Sequence, residues 1–79
     1  MIYCKIEIGM LHHQILVMCP DDGGAIISKR TVTIDLIPET VIELAQKFNV
    51  EVIHIEGVPQ IKDNIIEQIV QKCDKFTFI

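Results

Sequence analysis

The run Glu51-Val52-Ile53-His54-Ile55-Glu56-Gly57-Val58-Pro59 constrains this chain more than any other stretch. Val52, Ile53 and Ile55 suit a pleated strand, and Glu56-Gly57 with Pro59 are residues at which a strand hands over to a loop. On either side the period changes. Upstream, Val41, Leu44, Ala45 and Phe48 fall at i, i+3, i+4 and i+7. Downstream, Ile61, Ile65, Ile69 and Cys73 follow one line, widened by Ile66 and Val70. A short buried strand between two amphipathic helices has few homes. Each helix must carry the chain across a sheet to a parallel strand, and such crossovers are right-handed in about 98% of cases.

The helix limits can be read as well. Pro38 suits the first turn of the upstream helix, Glu39 and Glu43 lie toward its positive end, and Lys47 and Asn49 close it. The downstream helix follows Pro59, with Asp63 near its start and Lys72 near its end.

Before these helices the period is two. Residues 2–8 put Ile2, Cys4, Ile6 and Ile8 on one face, with Tyr3, Lys5 and Glu7 on the other, and Gly9 ends the run. A connection through Met10, Leu11 and His12 leads to Gln14-Ile15-Leu16-Val17-Met18-Cys19, apolar on both faces as a central strand would be. Pro20-Asp21-Asp22-Gly23-Gly24 is the clearest turn in the chain. It delivers a third strand over residues 25–34, where Lys29-Arg30 suits a solvated edge. Residues 75–79 read as a terminal strand.

The order is β-β-β-α-β-α-β over a single domain, residues 1–79. Three short connections make an antiparallel meander, and the two helices make parallel crossovers. The compact solution is an α/β domain (α+β by some schemes) with a mixed five-stranded sheet in the order 3-2-1-4-5. Both crossovers then run the same way across the sheet, so both helices land on one face. The other face stays bare.

Composition bears on partners. Seven basic residues stand against 11 acidic ones, a net charge of −4, and the basic ones are scattered. That is the opposite of the clustered Lys and Arg on which nucleic-acid binding rests. With four aromatics and no tryptophan there is no stacking platform either. Three cysteines, Cys4, Cys19 and Cys73, form no Cys-x-x-Cys pair and read as reduced core filler. The alternating N-terminus is not a signal peptide, and no run approaches the ~18 apolar residues of a membrane span. The expectation is a cytoplasmic protein without membrane contact.

Two acids close strands. Glu7-Ile8-Gly9 ends the first, Ile55-Glu56-Gly57-Val58 the fourth, and parity puts both carboxylates opposite the isoleucines that face the helices. With the β-β-β-α-β-α-β order, these positions resemble the core of the RNase H-like superfamily, which includes the Holliday-junction resolvases. The resemblance covers the whole chain and implies that Glu7 and Glu56 would be catalytic, holding magnesium or manganese for metal-dependent nucleic-acid hydrolysis. Glu7 stands where the family usually has Asp. The family's remaining acids come from a helix after the fifth strand, for which these residues offer no counterpart. The expectation is therefore a degenerate core with no cofactor and a non-enzymatic role.

Other candidates are fewer. His12, His13 and His54 are the only histidines; a zinc site from His54, Glu56 and one loop histidine is conceivable. The plainer reading leaves His12 and His13 exposed in a loop. Parity assigns Tyr3, Lys5, Glu7, Leu16, Met18, Val52, His54 and Glu56 to the bare face, an apolar centre with a polar edge. Such a mixture suits a protein interface. The partner expected is a second copy, as homodimer or higher, or a larger protein, with a regulatory role.

Overall fold

The alternating and helical periods become, in chain order, β1 (Tyr3–Glu7), β2 (His13–Cys19), β3 (Ala25–Val32), α1 (Ile37–Phe48), β4 (Val52–Glu56), α2 (Pro59–Lys72) and β5 (Thr77–Phe78). The structure is a computed structural model and describes residues 2–79; Met1, the first residue of the expected domain, lies outside the described residues. The sheet order is β3-β2-β1-β4-β5, as the connection argument requires. β1 and β2 are antiparallel, as are β2 and β3, whereas β4 runs parallel to both β1 and β5.

One face of the sheet is the core. Cys4 and Ile6 of β1, Ile15 and Val17 of β2, and Ile53 and Ile55 of β4 pack against Ile37, Val41, Leu44 and Ala45 of α1 and Ile65 and Ile69 of α2. Both helices therefore cover the same face. With about 25 cal/mol gained per Å² of apolar surface buried, this single layer supplies most of the driving force.

Several element ends differ from the sequence expectation, each for a local reason. β3 stops at Val32 because Thr33 Oγ1 donates to Asp35 Oδ1 at 2.6 Å and the Leu36 N–H bonds the Thr33 carbonyl at 3.1 Å. That side-chain bond draws Ile34–Leu36 into a 3-10 turn instead of continuing the strand. α2 ends one residue before Cys73, whose backbone is extended although its N–H still reaches the Ile69 carbonyl. β5 keeps only Thr77–Phe78 of the expected terminal strand. The turn after β2 is a single 3-10 turn, Pro20–Asp22, and both Gly23 (φ 69°) and Gly24 (φ 82°) take the left-handed conformation that glycine permits.

β3 carries two further departures. A bulge opposite Val17/Met18 leaves Ile27 without a cross-strand partner, so Ile26 pairs with Met18 and Ser28 with Val17. Arg30 is not simply solvated. It sits opposite Ile15 on the helix side, and its guanidinium lies 3.4 Å from Glu43 Oε2 of α1.

The carboxylate pair and the helix-free face

β1 is the strand on which the candidate residues converge. Its parallel register with β4 sets Tyr3 beside Val52, Lys5 beside His54 and Glu7 beside Glu56. Its antiparallel register with β2 sets Tyr3 beside Met18, Lys5 beside Leu16 and Glu7 beside Gln14. Directly opposed residues share a face. Three ranks therefore cross the helix-free face: Met18-Tyr3-Val52, Leu16-Lys5-His54 and Gln14-Glu7-Glu56. All eight residues assigned there by parity are on it.

The third rank brings the two strand-end acids together, and Lys5 answers both. Its ammonium lies 3.4 Å from Glu7 Oε2 and 3.4 Å from Glu56 Oε1. Hydrogen bonding to Glu56, and then to Glu7, holds the Lys5 ammonium above the usual lysine range. The pairing at β1–β4 extends past the strands through the Ile8 N–H, which bonds the Glu56 carbonyl at 3.0 Å. Gly57 allows this closeness, since a Cβ there would fall 2.8 Å from Ile8 Cγ1.

A divalent cation does not fit this arrangement. The position between the two carboxylates already belongs to a positive charge of the chain's own, and hard cations of this kind take about six oxygen ligands. Glu39, Glu43 and Asp63 belong to the helices on the other side of the sheet. Among the described residues, no three His, Cys, Asp or Glu side chains gather as a metal-binding group.

His13 departs from the exposed-loop expectation. It opens β2 opposite Val32, is only 4% exposed, and its Nδ1 accepts a hydrogen bond from the Gly9 N–H at 3.0 Å. Counting along β2 puts His13 with Ile15 and Val17 on the helix side. His54 is on the other. A zinc site combining the two is therefore blocked by the sheet itself. Nothing in the sequence marked His13 as the anchor of the β1–β2 connection, because that role depends on how tightly residues 9–12 turn.

No family model, curated protein or solved structure matches the chain. The resemblance to the RNase H-like core accordingly rests on strand order and on the two acid positions.

The bare face is also better sheltered than its composition suggested. Leu16 is only 5% exposed although no element lies over it. Lys5 and Lys29 stand at its two cross-strand positions, where their aliphatic stems can cover it. β3 adds residues that parity could not supply: Lys29 opposite Leu16, Thr31 opposite Gln14 and, beyond the bulge, Ile26 opposite Met18. Cys4, Cys19 and Cys73 are free thiols, and burial pushes the Cys4 thiol up to about 12, which makes it inert at neutral pH. Two shallow surface depressions lie at the amino end of β4, around Phe48, Asn49 and Glu51. Neither includes Glu7, Glu56 or His54.

Proposed function

We propose that this chain is a small non-enzymatic binding or regulatory protein of the cytoplasm that self-associates or docks on a larger protein through its helix-free sheet face or an edge strand. The observation that carries the reading is the one-sided sheet. Both helices pack on a single face, and the other presents Tyr3, Lys5, Leu16, Met18, Val52 and His54 in aligned ranks. Aromatic, thioether and aliphatic groups ringed by charge have the make-up of a protein contact surface. β3 offers a long edge whose free backbone groups suit strand addition. A cytoplasmic location accords with three free thiols. None of the helices is long and apolar enough to cross a membrane.

A photo-crosslinking residue at position 3 tests this reading. Adducts should form with one defined protein, or with a second copy, from position 3 and not from the exposed Gln68 on α2. Equal labelling from both positions would remove the face from consideration.

The competing reading is a divalent-metal-dependent hydrolase acting on nucleic acid through Glu7 and Glu56. Their direct register is in its favour. Against it stand Lys5, which would have to surrender both carboxylates, and the scattered basic residues. Calorimetric titration with magnesium and manganese decides between them: heat that disappears in Glu56→Gln supports the hydrolase, and its absence in the parent ends that reading.

A further inference from the structure

The loops at the two ends of the sheet differ in kind. Residues 20–24, 49–51 and 73–76 lie at the amino end of the parallel strands and include Asp21, Asp22, Asn49, Glu51, Asp74 and Lys75. Residues 9–12, 33–36 and 57–58 lie at the carboxyl end, and there the large side chains are Met10, Leu11, Ile34, Leu36 and Val58. These five are among nine large apolar side chains that stand exposed in the described residues. Met10 is 98% exposed and Leu11 81%, at the tip of the β1–β2 connection. Connecting loops are normally polar, so an end built this way calls for a physical reason.

From the geometry we infer that this carboxyl-end rim is a self-association surface, closed by the same rim of a second copy related by a two-fold axis. Its extent is suitable. The rim runs from β3 across to β4, three strand spacings or about 14 Å. Two almost fully exposed side chains and three half-exposed ones amount to several hundred Å² of apolar surface, the scale at which exposed patches mark contact sites. With the surrounding backbone this approaches the ~800 Å² that each partner contributes to a standard interface.

Charge selects the second copy over other occupants. The three rim loops contain no Lys, Arg, Phe, Tyr or Trp, the residues that hold a peripheral protein at a lipid interface. Their one formal charge is Asp35, which is hydrogen-bonded to Thr33. A like rim therefore meets it without unpaired charge. The acidic loops of both copies then point outward, separated by much more than a Debye length of about 10 Å, given molecular extents of 31 × 26 × 19 Å. Rim-to-rim contact joins two chains of charge −4 at their least charged ends. A two-fold contact needs just such a self-complementary patch.

The rim shares no residue with the helix-free face, so this inference goes beyond the docking role and fails separately from it. Sedimentation and light scattering of the whole chain should show a dimer. The double substitution Met10→Glu/Leu11→Glu should leave circular dichroism and thermal melting unchanged while weakening dimerisation by at least about a hundredfold. Val58→Glu, on a separate loop, should weaken it in the same direction. Ile26→Glu, at an exposed apolar position toward the opposite end of the sheet, should leave the dimer intact. A parent that stays monomeric through the millimolar range overturns the inference, whether or not it binds vesicles or another protein. So does a dimer that survives both rim variants, or one that Ile26→Glu alone dissociates. Crosslinking from position 3 should be unaffected by the rim variants, which keeps the two surfaces distinct.

Discussion

Two side chains carry the least obvious work in this molecule. Lys5 sits in the middle of its face and holds together carboxylates from two strands, with Nζ 3.4 Å from each. Without it, Glu7 and Glu56 would be like charges at directly opposed positions, an arrangement that destabilises a sheet. Lys5→Met should therefore lower the melting temperature at neutral pH, and acidification toward about pH 4 should recover part of the loss as the carboxylates are neutralised. The parent has the complementary dependence. Because its folded-state value is raised, the Lys5 contribution is complete below the ordinary lysine value of 10.5 and fades as pH rises through the higher folded one. Melting curves of parent and Lys5→Met should accordingly converge in strongly alkaline solution; a constant gap would show that the stem, not the charge, matters. His13 works differently. Its buried Nδ1 accepts the Gly9 N–H, and Gly9 itself is needed because a Cβ there would fall 2.3 Å from the His12 carbonyl oxygen. His13→Leu leaves that N–H without its partner and should cost about 1–3 kcal/mol in urea unfolding. His13→Asn, which can return an acceptor to nearly the same place, should cost less.

At the scale of elements, the long periodic segments were legible and their ends were not. The stripe Val41, Leu44, Ala45, Phe48 and the alternation of residues 2–8 reappear as α1 and β1 because burial of one face decides both. The overrun at β3 came from Thr33 and Asp35, whose side-chain bond competes with the ladder and has no periodic signature. The bulge at Ile27 was equally hidden, and it changes which β3 side chains join the helix-free face. Of the candidate site, the facing of Glu7 and Glu56 followed from topology plus parity. That Lys5 bridges them depends on a long side chain bending along the face, and parity says nothing about that. One element end was read correctly and can be tested directly. Asn49 closes α1 in the left-handed conformation (φ 58°, ψ 47°), and the following Val50 N–H bonds the Ala45 carbonyl at 2.9 Å. Asn49→Gly should be neutral or slightly stabilising, whereas Asn49→Val should lose about 1 kcal/mol or more in chemical denaturation, since a β-branched residue resists positive φ. Equal stability for the two variants would mean that the cap is not held in that conformation.

The whole molecule is a two-layer sandwich with one layer of helices, and its stability must be unevenly distributed. β1 is central: it has a ladder on both sides, Cys4 and Ile6 fully buried beneath, and Lys5 tying its other face to β4. β2 and β4 come next, each contributing two buried core residues to the same layer. The edges are unlike them. β3 has a largely exposed burial pattern and a bulge, and it is tied to the helix layer on its outer side by the Arg30–Glu43 pair, whose groups are too exposed to contribute much. β5 pairs over two residues only, with the Thr77 N–H on the Glu51 carbonyl and the Ile79 N–H on the Ile53 carbonyl marking its ends. Local opening should follow this gradient, since regions with few buried contacts open at a fraction of the global cost. Amide hydrogen exchange at neutral pH should find the slowest protons in β1 and in the parts of β2 and β4 that pair with it. Thr77 and Ile79 should exchange well before global unfolding. If the rim dimer forms, protection gained with rising protein concentration should appear around residues 9–12 and 57–58 and not in β5. A β5 as slow as β1 would mean that the carboxyl terminus is held by contacts beyond the ladder described here. Fast exchange in β1 would contradict the central place that the register gives it.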